Sequence, residues 1–276
     1  MAFSLTACED FFDSRIDYFV ESPDPKLVVN ATLTPGPRAI VEVSHSVPVF
    51  GSTDYPKILG DAVVLMYEDG VFWDSLSFNL APPYFYDSAF VSSKQVQAEA
   101  NYSISVKHNG FSEAHAVTTI PKPTTPTNFT WQDYHGRKAK FTLPALRNNE
   151  YYYIWFGSQN YSGIYFKSNS PILEFDNDAF FDLEGGDYGY GWAYVRPELM
   201  NGKNQEVVVE LLDDGYAQND VFINLFVLNV DLFKQHRDLL NFDPDNPFSE
   251  PTQIHVNVEN GYGVFSAYST TVTPIQ

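Results

Sequence analysis

Five acidic side chains, Asp176, Asp178, Asp182, Glu184 and Asp187, fall within residues 176–187 around the pair Gly185-Gly186. Hard oxygen ligands set close together are what Ca²⁺ takes. The spacing is not that of a twelve-residue EF-hand loop, and Phe175, Phe180 and Phe181 interleave as packing residues would. A solvated loop is expected there, with no metal and no cofactor. His45, His108, His115, His135, His236 and His255 never fall at the i, i+4 spacing that puts two zinc ligands on one helix face. No Gly-x-Ser-x-Gly elbow and no phosphate-cradling glycine loop occurs. No catalytic residue is therefore assigned. A pair of carboxylates that converge only in space, as in a glycan hydrolase, is the route to catalysis that no linear motif would reveal.

Aromatic chemistry is more prominent. Tyr151, Tyr152, Tyr153, Trp155, Tyr161, Tyr165, Tyr188, Tyr190, Trp192 and Tyr194 concentrate in the second half of a chain that is 16% aromatic. Tyr and Trp offer large rigid contact area with a polar handle, suited to a protein hot spot or to sugar stacking. Alternation along strands would bury half of them. In the Gly-rich stretch Tyr188, Tyr190 and Trp192 the surroundings are those of a loop, and these three are the expected partner-binding residues.

Cys8 is the single cysteine, which excludes an internal disulfide and any Cys-based metal cluster. Phe3-Ser4-Leu5-Thr6-Ala7-Cys8 has the form of a bacterial lipobox, so Cys8 is expected to carry a lipid, followed by an acidic tether with Glu9, Asp10 and Asp13. Seven residues precede Cys8, short of the 15 to 30 or so of a full signal peptide, so a start further upstream is expected. The formal charge is −19, from 16 Lys and Arg against 35 Asp and Glu, a field that repels phosphate backbones and excludes nucleic acid as a partner.

The elements that must hold these groups read as strands. Short β-branched runs at 27–34, 39–47 and 62–68 are bounded by Pro or Gly, and Asp69-Gly70 and Asn109-Gly110 each mark a hairpin between apolar segments. Strands are expected again at 139–143, 151–156, 164–166, 192–195 and 206–212, then a continuous apolar run at 221–230. Residues 231–240 carry apolar side chains at helical spacing, with Asn229 or Asp231 placed to cap them. Three prolines within 121–127 make a stiff extended linker. The fold class expected is all-β: a lipobox and tether at 1–25, an Ig-like β-sandwich at 26–120, the linker at 121–127, and a second β-sandwich-like domain at 128–276 with one short helix.

Residues 246–251 (Asn-Pro-Phe-Ser-Glu-Pro), followed by Ile254, Asn257, Val258, Asn260-Gly261-Tyr262-Gly263-Val264-Phe265 and Ala267-Tyr268, form a distinctive C-terminal motif. With Lys26-Leu27-Val28-Val29, Gly60-Asp61-Ala62-Val63-Val64, Tyr102-Ser103-Ile104 and Thr119-Ile120-Pro121, it resembles a Bacteroidota surface lipoprotein family catalogued as domain of unknown function 4249. The resemblance implies a two-part β-rich lipoprotein of the outer membrane, facing the cell surface, and an accessory role beside β-barrel receptors of the TonB-dependent type. The alternative is a surface glycan-binding module or hydrolase. Asp74-Ser75-Leu76 and Asp87-Ser88-Ala89 match an O-glycosylation triplet associated with the same bacteria. The motif residues 260–265 contain no acid, base or nucleophile in a fixed pair, and read physically as an architectural turn.

Overall fold

Leu27, Val29, Ala31 and Leu33 are buried while the residues between them are not, the period of two that makes 27–33 a strand with one core face. The same rule builds most of the chain. The computed structural model describes residues 24–48, 56–79, 88–135, 137–158, 163–175, 182–183, 187–188, 191–212, 220–242 and 253–276. Cys8, the tether up to residue 23 and Tyr190 lie outside the described residues.

In chain order the strands are β1 (Leu27–Leu33), β2 (Arg38–His45), β3 (Val63–Glu68), β4 (Val71–Ser75), β5 (Ser77–Asn79), β6 (Ala89–Gln95), β7 (Asn101–Lys107) and β8 (Ala114–Thr119). After the proline segment come β9 (Thr127–Asp133), β10 (Lys138–Leu143), β11 (Glu150–Gly157), β12 (Phe166–Lys167), β13 (Leu173–Phe175), β14 (Asp182–Leu183), β15 (Asp187–Tyr188) and β16 (Trp192–Val195). A single turn of helix, α1 (Pro197–Met200), leads to β17 (Gln205–Leu211), β18 (Phe222–Asn229), helix α2 (Val230–Leu240) and β19 (Phe265–Pro274). The fold is all-β, with two short helices among the described residues, one more than the sequence pattern indicated; α1 is too short to carry a helical period.

One nine-stranded sheet, ordered β13-β16-β11-β18-β19-β1-β2-β6-β5, runs through the molecule. The sheet β4-β3-β7-β8 packs on its β1 end around Val29, Val41, Met66, Trp73, Phe90 and Tyr102, forming the first two-sheet sandwich. The sheet β12-β17-β10-β9 packs on its β18 end around Phe129, Phe141, Tyr152, Phe156, Phe166 and Leu225. β19 belongs to both: Phe265–Ala267 pair in parallel with Ala31–Leu33, and Tyr268–Pro274 pair antiparallel with β18. Val258, Phe265 and Ala267, which the sequence reading places with the second domain, fill the first core.

The turns follow their chemistry with one difference. Asp69 and Gly70 have φ of 49° and 80°, the two positive angles that a type I′ hairpin requires. At Asn109-Gly110 only Gly110 is positive, at 88°, and Phe111 N–H closes on His108 C=O at 3.2 Å, so the connection is a type II form inside a longer loop. The proline segment does not stand free: Arg147 donates to Lys122 C=O at 2.6 Å and to Thr124 Oγ1 at 2.7 Å. The two sandwiches are joined side by side through the continuous sheet as well as end to end through the linker.

Two positions fix this join. Asn229 Oδ1 caps α2 by accepting from Leu232 N–H at 3.0 Å and also accepts from Ala267 N–H at 3.3 Å, while its Nδ2 donates to Thr118 Oγ1 of β8 at 2.7 Å. Gly263, with φ of 103°, lets the C-terminal segment lie against β1: a Cβ there would sit 2.2 Å from Val29 O. That close approach carries the bonds Tyr262 N–H to Leu27 C=O and Ala31 N–H to Val264 C=O, at 2.8 and 3.0 Å. Residues 262–264 of the C-terminal motif are thus a strand-docking device.

Candidate binding face

The apolar run 221–230 has no polar alternation, so both faces of β18 must be covered. Ile223, Leu225 and Val227 enter the second core; Phe222, Phe226 and Leu228 point the other way. β11 does the same, with Tyr152, Ile154 and Phe156 inside and Tyr151, Tyr153 and Trp155 outside. Cross-strand register then lines up aromatics on the outer face. One row runs Trp192, Trp155, Asn224, Val272, and the next Tyr194, Tyr153, Phe226, Thr270.

The rings touch laterally. Tyr153 is the centre, 5.3 Å from Trp192, 5.4 Å from Tyr194 and 5.3 Å from Phe226. Burial pushes its hydroxyl up to about 12, so it stays protonated and serves no base role near neutrality. Helix α2 covers one end of this face: Phe233 stacks on Tyr151 at 3.8 Å and meets Tyr194 edge-on at 5.6 Å. His236 of α2 shares a 2.8 Å hydrogen bond with the Tyr194 hydroxyl, and burial lowers its pKa. Glu174 pins the helix margin through Arg237 at 2.5 Å, with Arg196 at 3.7 Å.

The other end is open. Trp192, Trp155 and Phe222 are half-buried and Val272 is 58% exposed. Gly157 makes room for this shelf, since a Cβ there would come within 2.7 Å of the Trp155 ring and 2.8 Å of Phe222. Rings held by their neighbours lose little entropy when a partner covers them, which is what interface anchors need. The face has no paired acid and base among its described residues; its chemistry is contact.

Of the three residues expected to bind a partner, Trp192 lies on this shelf. Tyr188 falls in β15, paired with Asp182 of β14, described in backbone only, and Tyr190 lies outside the described residues. Phe222, Phe226, Phe233 and Tyr268 were not singled out from the sequence. The signal for Phe222 and Phe226 was the apolar run itself, too long on both parities for a strand with one wet face. Of the glycosylation triplets, Ser75 is exposed at the end of β4 beside Asp74, whose carboxylate accepts from Ser93 N–H at 2.6 Å; Ser88 is half-buried and Asp87 lies outside the described residues. Within 176–187 only the short β14 and β15 are described, and no group of three or more metal-ligating side chains occurs among the described residues.

A family model described as "Domain of unknown function (DUF4249)" matches residues 13–273. The chain belongs to that family. The matched span contains β1, β3, β7 and the Gly263 turn. No curated relative matches the sequence. Among solved structures the chain is similar to the crystal structure of collagen adhesin (CNA) from S. aureus, at 6% identity over 92% of this chain and 94% of that one, with a TM-score of 0.18. A likeness of that size carries no argument about fold or function.

Proposed function

We propose that this DUF4249 protein is a non-enzymatic lipoprotein of the outer membrane, anchored through Cys8, exposed at the cell surface, and docked as an accessory subunit on a β-barrel complex of the TonB-dependent receptor type. The observation that carries the docking role is the open aromatic shelf of Trp192, Trp155 and Phe222 on a protein of charge −19. Such a charge opposes non-specific adhesion to anionic surfaces, so an apolar, ring-lined face is the surface on which a specific partner gains most. The anchor rests on Leu5-Thr6-Ala7-Cys8; no helix of the described residues is long and apolar enough to cross a membrane.

Two experiments test the two halves. Cys8→Ala should move the protein from the membrane pellet to the soluble fraction; persistence in the pellet at high salt means that lipid is not the anchor. Trp155→Ala combined with Trp192→Ala should abolish co-purification and crosslinking to the barrel partner while the far-ultraviolet circular dichroism spectrum is kept. Crosslinks confined to residues 26–120, with co-purification intact in that double variant, would move the docking role to the first sandwich.

A further inference from the structure

Helix α2 packs mainly over β11, β18 and β19. Beside it the outer face of β1 and β2 is open, and the helix stands over the sheet as a wall about 10 Å high. The step encloses a groove of about 420 Å³, inside the range of roughly 300–1,000 Å³ typical of small-molecule sites. A larger trough of about 770 Å³ lies over β10 and β17, but Lys167 in its lining is paired with Glu210 at 3.3 Å, and Asp133 and Glu206 line it as well.

The groove beside α2 has unspent donors. Asn30 Oδ1 accepts from Val264 N–H at 3.1 Å, which holds the amide in place and leaves its NH₂ group. The Arg38 guanidinium at one rim and the Gln235 amide on the helix wall have no hydrogen-bond partner among the described residues. Tyr268 supplies a ring held at 5.5 Å from Phe226, and Ile40 and Val264 supply an apolar floor.

We propose that this groove binds an uncharged saccharide. Amide and guanidinium groups offer donors in fixed planes, the arrangement that pairs with neighbouring hydroxyls, and the Tyr268 ring takes the C–H face of a pyranose. The other ligand classes fit less well. An apolar ligand would leave three donors covered and unpaired, at about 1–3 kcal/mol each. An anion meets a protein of charge −19, and the Glu42 carboxylate also lines the groove. A peptide added as a strand needs a free sheet edge, whereas β1 and β2 are paired with each other and flanked by β19 and β6. The saccharide site is separate from the shelf at Trp155, so the two can fail independently.

The test is titration calorimetry on the purified full chain with neutral tetrasaccharides derived from glucan, xylan, mannan and galactan, with tetragalacturonate as the charged probe. Arg38→Ala and Gln235→Ala are surface changes that should leave the melting temperature unmoved. The expected result is saturable binding of at least one neutral probe, weakened by about tenfold or more in each variant, equal to about 1.4 kcal/mol, unchanged in Trp155→Ala, and absent for tetragalacturonate. Failure of every neutral probe to bind, binding that survives both groove variants, binding lost in Trp155→Ala, or binding of tetragalacturonate at equal strength would each overturn the proposal.

Discussion

Asn229→Ala is the most informative single substitution, because one side chain joins β18, α2, β19 and β8. The change removes an N-cap, which costs about 1 kcal/mol. It also strips the partner from the Thr118 hydroxyl and from Ala267 N–H, groups that lie in the interior at the join, where each orphaned group costs about 1–3 kcal/mol. The sum is about 3–7 kcal/mol. Thr118→Val, which keeps the shape and leaves Asn229 Nδ2 unpaired, should cost about 1–3 kcal/mol. The double variant removes both ends of the bond and should cost less than the sum by about 1 kcal/mol or more. Urea unfolding followed by tryptophan fluorescence is the assay, since Trp73 lies in the first core while Trp131, Trp155 and Trp192 report on the second sandwich. A cost for Asn229→Ala within about 0.5 kcal/mol of zero, the range of ordinary surface changes, or a cycle that adds without remainder, would refute the claim that this side chain locks the sandwiches together.

Gly263→Ala should destabilise the protein strongly or prevent folding, since the positive φ is strained for alanine and the Cβ meets backbone at 2.2 Å; a melting temperature within a degree or two of wild type would show that the motif does not dock as described. Burial lowers the His236 pKa below its ordinary 6.5, so the unfolded chain binds the proton more readily, and the contribution of the neutral ring is fully present above about pH 6.5 and is lost as pH falls through the folded-state value. The stability difference between wild type and His236→Gln should therefore narrow from pH 7.5 to pH 5, and a difference that stays constant would count against a buried neutral His236. Chelation with EDTA should leave the melting temperature unchanged, because the spacing of the acids at 176–187 is that of a solvated loop; a fall of several degrees restored by Ca²⁺ would mean that an ion is held there.

Local patterns carried much of this architecture, and the exceptions have physical causes. The alternation of Val207, Val209 and Leu211 needs only the two-residue period to mark β17 and its core face. Asn229 could be read as a cap because capping is a matter of one residue before an apolar helical period. Its bond to Thr118 could not, since that partner is 111 residues away and no short-range signal encodes it. Asn109-Gly110 carries the strongest hairpin dipeptide, yet the strands it joins stop at Lys107 and restart at Ala114, and loop length set the turn type. The aromatic shelf was half legible: Trp192 was found by composition, but its true neighbours Trp155 and Phe222 come from strands β11 and β18, brought alongside by sheet order. Parity within β11 would have separated Tyr152 from Tyr151 and Tyr153, though not told which face was wet.

The path of β19 explains why the C-terminal motif reaches so far from any chemistry. Its first residues complete the core of a sandwich begun more than two hundred residues earlier, and the strand runs on without a break into the second sandwich. Burying Phe265 alone is worth about 1.5–3 kcal/mol, and Val258 adds to it, so the first sandwich lacks a substantial part of its stability until the chain end arrives. Contacts that distant are closed late and against loop entropy, and once closed they tie the stability of one sandwich to that of the other. Load applied at the shelf on β11 and β18 then passes to the first sandwich through a covalent strand and the hydrogen-bond ladders on either side of it. A proline linker alone would let the two parts swing; the shared strand ties the aromatic shelf on β11 and β18 to the first sandwich.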